Sequence, residues 1–176
     1  VSAALNAMDG TAPHGTWVHL YVNGLYWGLY DPVERPDGAF AATYLGGDKD
    51  QYDVIHTGEL KQGDLNSWSE FLNLIRQPQI DYAAVQGILD VPSFVDYMIV
   101  NQFAGNIDWP TSNWIAAHRR VPGAKWNFHA WDSEFSLLNL NDNRLHEEMY
   151  WDGGPGELYL ALSSVEEFRM LYAGRM

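Results

Sequence analysis

The chain has 176 residues, 47% of them hydrophobic and 19% charged, a length and balance that fit one domain with a core of its own and lie far from disordered compositions. Ten Lys plus Arg against 23 Asp plus Glu leave a net charge of −13, which repels phosphate backbones and argues against nucleic acid as a partner. Cysteine is absent, which excludes disulfides and thiolate metal sites, and no apolar run approaches the roughly 18–20 residues of a membrane span.

Residues 1–16 carry small and turn-forming side chains without a period and read as a frayed strand or irregular lead-in. The start at Val1 rather than Met reads as a processed product, and Val1 to Leu5 has neither the basic segment nor the apolar stretch of a secretory signal. From Trp17 to Tyr30 two runs of β-formers flank Asn23-Gly24, the pair that supplies both positive φ values of a type I′ hairpin turn. Pro32 and Pro36 then mark a connector. A short helix is expected over Ala39–Leu45 and one brief strand over Tyr52–His56.

Three helical patterns follow. Trp68, Phe71, Leu72 and Ile75 fall at i, i+3, i+4 and i+7, with Ser67 three residues before Glu70 as in a capping box. Asp81–Leu89 is a shorter candidate. Val91, Phe94, Val95, Met98, Ile99 and Phe103 form a wide apolar stripe, with Asp90 as its cap and Gly105-Asn106 as its end. A second hairpin is expected from Asn113–His118 and Lys125–Trp131, with Trp126, Phe128 and Ala130 alternating against Lys125, Asn127 and His129. Residues 138–157 read as a long polar loop, and Val165–Tyr172 as a last helix with Ser164 three residues before Glu167.

The chemistry concentrates after the apolar helix. Asp108 and Asn113 stand five apart on a proline-containing loop, and Asp132 ends the following hairpin, 24 residues further on, so that its strand can return it to the same loop. Hard oxygen donors of this kind suit Mg²⁺ or Mn²⁺ and match the layout of phosphoryl transfer, in which one acid orients the attacking hydroxyl while an Asn and a second acid hold metal. The same spacing also suits a capping Asp, a turn Asn and a strand-end Asp.

The segments Leu20–Tyr30, Gly105-Asn106-Ile107-Asp108 with Asn113, and Trp126-Asn127-Phe128-His129-Ala130-Trp131-Asp132 resemble, in that order, the spore-coat protein H (CotH) kinase-like family; the Glu167-Phe168-Arg169 helix is similar too. The resemblance implies an α+β, atypical protein-kinase-like fold: mostly a helical large lobe, with a remnant antiparallel small-lobe sheet. It further implies ATP with Mg²⁺ or Mn²⁺ as cofactors, and phosphoryl transfer to Ser or Thr of a secreted or coat protein at an extracytoplasmic or spore surface. By position Asp108 would be the catalytic acid, Asn113 and Asp132 the metal ligands, and Glu34 a nucleotide-facing residue of the connector. The metal Asp opens Asp132-Ser133-Glu134; family members commonly carry a second Asp two residues on, and Glu134 keeps its charge with a longer reach.

The first basic residue is Arg35, and only Gly10 and Gly15 precede the hairpin, so the phosphate anchor and glycine-rich cover of a kinase-like site are missing. Residues 1–34 would then be a small-lobe hairpin and connector lacking its first strands, residues 35–176 the large lobe, and ATP binding by this chain alone is expected to be poor. A non-catalytic reading stays open, as a pseudokinase or as a carbohydrate- or calcium-binding module. Asp132 and Glu134 on one strand face, roughly 6–7 Å apart, would suit a glycosidase pair. Asn139, Asn141, Asp142 and Asn143 fail the EF-hand pattern, and the six histidines show no zinc-hydrolase spacing.

Overall fold

The computed structural model describes residues 1–8, 10–139, 141, 144 and 153–176. The fold is α+β, with two antiparallel sheets among the described residues. The chain begins with α1 (Ser2–Ala7), where an irregular lead-in was expected; Leu5 is buried in the main core, and that tertiary contact holds a helix too short to persist alone.

The first hairpin, β1 (Val18–Val22) and β2 (Leu25–Tyr30), forms where Asn23-Gly24 places it, with φ of 50° and 81° at the two turn residues. It is a sheet by itself, and Trp17, Tyr21, Leu25 and Trp27 are 61–71% exposed. Its base is tied by an antiparallel bridge between Gly15 and Val33 and by Glu34 N–H donating to His14 O at 2.9 Å.

Helix α2 (Gly38–Leu45) is capped by Asp37, whose carboxylate accepts from the N–H groups of Ala39 and Phe40. Strand β3 (Tyr52–His56) falls where it was expected, but a partner, β4 (Glu59–Gln62), pairs with it through Thr57-Gly58, whose φ of 48° and 79° make a second left-handed turn. Helices α3 (Asn66–Ile75), α4 (Tyr82–Ile88) and α5 (Val91–Phe103) follow, then β5 (Trp114–Arg119) and β6 (Asn127–Ala130). The larger sheet has the order β4-β3-β5-β6 and is antiparallel throughout. The part expected to be a mostly helical lobe is therefore built around a sheet, because β3 docks on β5 over five residue pairs from Tyr52–Arg119 to His56–Ile115.

That sheet is covered on both faces. Val54, Ile115 and Ala117 pack with Ala41 of α2 on one side, while Ile55, Ala116 and Phe128 face Trp68, Phe94, Val95 and Met98 of α3 and α5 on the other. Double coverage explains why β3 and β5 are buried at successive positions rather than at alternate ones, Asp53 included. Trp68 meets Trp126 edge-on at 4.8 Å and Phe94 meets Phe128 at 5.0 Å; buried rings of this kind each contribute about 1.5–3 kcal/mol of transfer free energy.

Several local expectations are corrected. Ser67 does not cap α3; it lies inside the helix and its Oγ accepts from Trp126 Nε1 at 3.1 Å, while Asp64 takes the Asn66 N–H. Ser164 does not cap α7 (Glu166–Arg175) either, since its hydroxyl donates to Ala161 O. Phe103, assigned to the apolar stripe of α5, is 85% exposed, whereas Asp90 caps that helix as expected. His129, expected on a polar face, is buried under Phe40. Helix α6 (Pro155–Leu162) starts inside the stretch read as a loop, with proline at its first position; most of residues 138–152, including Asp142, Asn143 and His146, lie outside the described residues.

Candidate active site

The loop after α5 is built from buried polar contacts. Asn106 Nδ2 donates to Asn101 Oδ1 at 3.1 Å and Trp109 Nε1 donates to the Tyr97 hydroxyl at 2.7 Å, with all four residues 1% exposed. Between these anchors Asp108 is half-buried; its carbonyl accepts from Ser112 N–H at 2.8 Å and from Thr111 Oγ1 at 3.0 Å, a turn that leads to Asn113. Among the described residues no hydrogen bond reaches the Asp108 carboxylate.

Three hydrogen bonds lace this loop to the segment after β6. Asn113 Nδ2 donates to Asp132 O at 3.0 Å, Ile107 N–H donates to Phe135 O at 3.3 Å, and Leu137 N–H donates to Ala104 O at 2.6 Å. The structure thus brings Asn113 and Asp132 into direct contact, with Asp108 between the laced positions. Asn113, Asp132 and Leu137 have φ of 60°, 49° and 59°, left-handed values that Asn and Asp tolerate better than other side chains and that gather at functional sites. With Nδ2 engaged, the Asn113 oxygen is the atom left to act as a ligand.

Glu134 is close enough to Asp132 for the two carboxyls to interact, and the neighbouring Asp132 carboxyl raises the Glu134 pKa above its ordinary value. The strand ends at Ala130, so the two acids do not sit on one strand face as a glycosidase reading would require. Both line a cleft of about 580 Å³ whose walls are Val1, Ser2 and Ala3 of the α1 segment, Pro13, Trp17, Asp31 and Val33 at the hairpin base, and Ala130 to Glu134. No Lys or Arg is among these residues, and Asp108, Asn113 and Glu34 are not part of the lining.

Glu34 is engaged elsewhere. Its carboxylate accepts from His14 N–H at 3.0 Å, contacts His14 Nδ1 at 3.0 Å and accepts from the Tyr44 hydroxyl, and the His14 backbone bond above all lowers its pKa. Trp17, Asp31 and Trp131 of the cleft were not singled out from the sequence: both Trp lie next to β runs that read as core, and Asp31 reads as a connector residue.

Among the described residues no three His, Asp or Glu side chains gather as a metal cluster. By chemical type Asp132, Glu134 and the Asn113 oxygen are hard donors, of the kind a divalent cation takes alongside water and phosphate. No helix among the described residues is long and apolar enough to cross a membrane. A family model described as CotH kinase protein matches residues 5–176. No curated protein matches the chain.

Proposed function

The chain belongs to the CotH kinase protein family, and from that premise we propose that it is a metal-dependent phosphotransferase moving the terminal phosphate of ATP to a Ser or Thr hydroxyl of a secreted or coat protein. The observation that carries the reading is the contact of Asn113 with Asp132, beside a cleft that Asp132 and Glu134 help to line. Asp108 accepts or orients the proton of the attacking hydroxyl, and its carboxylate, unengaged by the described residues, is free to do so. Asp132, Glu134 and Asn113 would hold Mg²⁺ or Mn²⁺. When bound, the metal neutralises charge that develops on the phosphate oxygens. Glu34 stabilises the connector beside the cleft through His14 and Tyr44.

Residues 1–34 serve as a small-lobe hairpin and connector and residues 35–176 as the large lobe. The exposure of Trp17, Tyr21, Leu25 and Trp27 supports this division. A second reading, a pseudokinase scaffold, is favoured by one observation: among the described residues no Lys or Arg lines the cleft to meet the phosphates.

The test is transfer from labelled ATP with Mn²⁺ or Mg²⁺ to serine- and threonine-bearing acceptors, alongside calorimetric titration of ATP. The expected outcome is weak, metal-dependent ATP binding and slow transfer. Asp108→Ala should lower transfer at least about a hundredfold with an unchanged melting temperature, and Asp132→Ala should abolish metal-dependent binding. Undiminished transfer by Asp108→Ala rejects the assignment, and binding without transfer favours the scaffold.

A further inference from the structure

Two residues of α5 stand one helical turn apart and both reach the loop that carries Asp108. Tyr97 accepts a hydrogen bond from Trp109 Nε1 at 2.7 Å, and its ring meets the Trp109 ring edge-on at 5.8 Å. Asn101 anchors itself by donating Nδ2 to Tyr97 O at 2.9 Å, and then receives Asn106 twice: Nδ2 to Oδ1 at 3.1 Å and main-chain N–H to main-chain O at 3.2 Å. The two anchored loop residues, Asn106 and Trp109, bracket Asp108.

These polar groups lie in the apolar core, among Phe94, Met98 and Phe128. Leu or Phe at these positions would bury as much area, but apolar contact is non-directional and would let the loop slide. Hydrogen bonds in a low-dielectric interior have one good geometry and specify a single arrangement. Burial raises the Tyr97 phenol pKa far above its ordinary value, so its oxygen stays a neutral acceptor for Trp109 at any working pH. The loop so fixed is the one laced to Phe135, Leu137 and Asp132.

We propose that Tyr97 and Asn101 are positioning residues: by gripping Trp109 and Asn106 they set where Asp108 and Asn113 stand relative to Asp132. The kinetic part of this inference rests on the phosphotransferase reading; the placement of the loop does not.

The experiment compares Tyr97→Phe with Phe168→Leu, a buried core change on α7 that serves as a control for lost stability. Tyr97→Phe should lower kcat about tenfold to a hundredfold, as displaced catalytic groups do, with KM for ATP within about twofold. Its amides over residues 105–113 should exchange with deuterium several-fold faster than in the wild type. Phe168→Leu should share the loss in melting temperature yet keep kcat and the exchange of that loop. Unchanged exchange over 105–113 in Tyr97→Phe, or equal kinetic losses in Phe168→Leu, overturns the proposal. If the wild-type chain transfers no phosphate, the phosphotransferase reading fails and the exchange comparison alone decides whether Tyr97 holds the loop.

Discussion

A methyl group at Gly63, where φ is +79°, would overlap the Asp53 carboxylate, the Arg120 guanidinium and the Tyr52 carbonyl. Asp53 is 1% exposed, accepts from Asp64 N–H at 2.8 Å and pairs with Arg120, so none of these groups can withdraw cheaply. Left-handed backbone costs a side chain about 1–2 kcal/mol, and disturbing a buried ion pair adds to it. Gly63→Ala should therefore destabilise the fold by about 3 kcal/mol or more, read as a shift of the denaturant midpoint. At the same scale the site was partly legible. Asp108, Asn113 and Asp132 stand out by side-chain type and by their place after predicted elements, and Asn113 does meet Asp132. The sequence could not reveal that the meeting runs from side chain to main chain, nor that Glu134 leans on Asp132. Asn113 and Asp132 both have left-handed backbone, a conformation that side-chain type alone does not announce.

Elements were legible where local chemistry dominates. Asn23-Gly24 set the first hairpin, and Asp90 caps α5 as its position suggests, while Asp81, read as the first residue of its helix, caps α4. They were illegible where a distant partner outbids the local signal: Ser67 and Ser164 stand in capping-box spacing, yet one accepts from Trp126 and the other donates to Ala161. Strand β6 shows the same competition. His129 lies in the polar half of an alternating pattern but is sealed under Phe40, with Nδ1 bonded to Thr11 O at 2.8 Å and Nε2 buried with no hydrogen-bond partner among the described residues. Burial lowers its pKa below the ordinary 6.5, so the unfolded chain binds the proton first as pH falls. Stability from this residue is present above about pH 6.5 and declines as pH drops toward the folded value, by at most about 1.4 kcal/mol per pH unit. Denaturant titrations between pH 7 and 5 should show that slope in the wild type and a shallower one in His129→Gln.

At the scale of the whole molecule, stability is divided unevenly. Strands β3 and β5 are covered on both faces, while the β1–β2 hairpin is a two-stranded sheet bare on its large side chains. A lone hairpin is marginal in water, whereas central strands open only with the whole fold. Native-state hydrogen exchange should find amides of residues 18–30 opening at low free energy and insensitive to mild denaturant, and amides of residues 52–56 and 114–119 approaching the global value. Uniform protection of both regions would contradict this division. The sequence by itself determined the elements whose information is local, the turn at 23–24, the periodic helices and the order of the oxygen-bearing residues, because φ preferences, caps and apolar periods act within a few residues. Only the tertiary structure decided that β3 joins β5 into a doubly covered sheet, that α1 is helical, and that the loop of Asp108 is held by Tyr97 and Asn101 against the segment of Asp132. Those outcomes depend on which surfaces meet across dozens of residues, where burial and directional hydrogen bonds outweigh the preferences of any one segment.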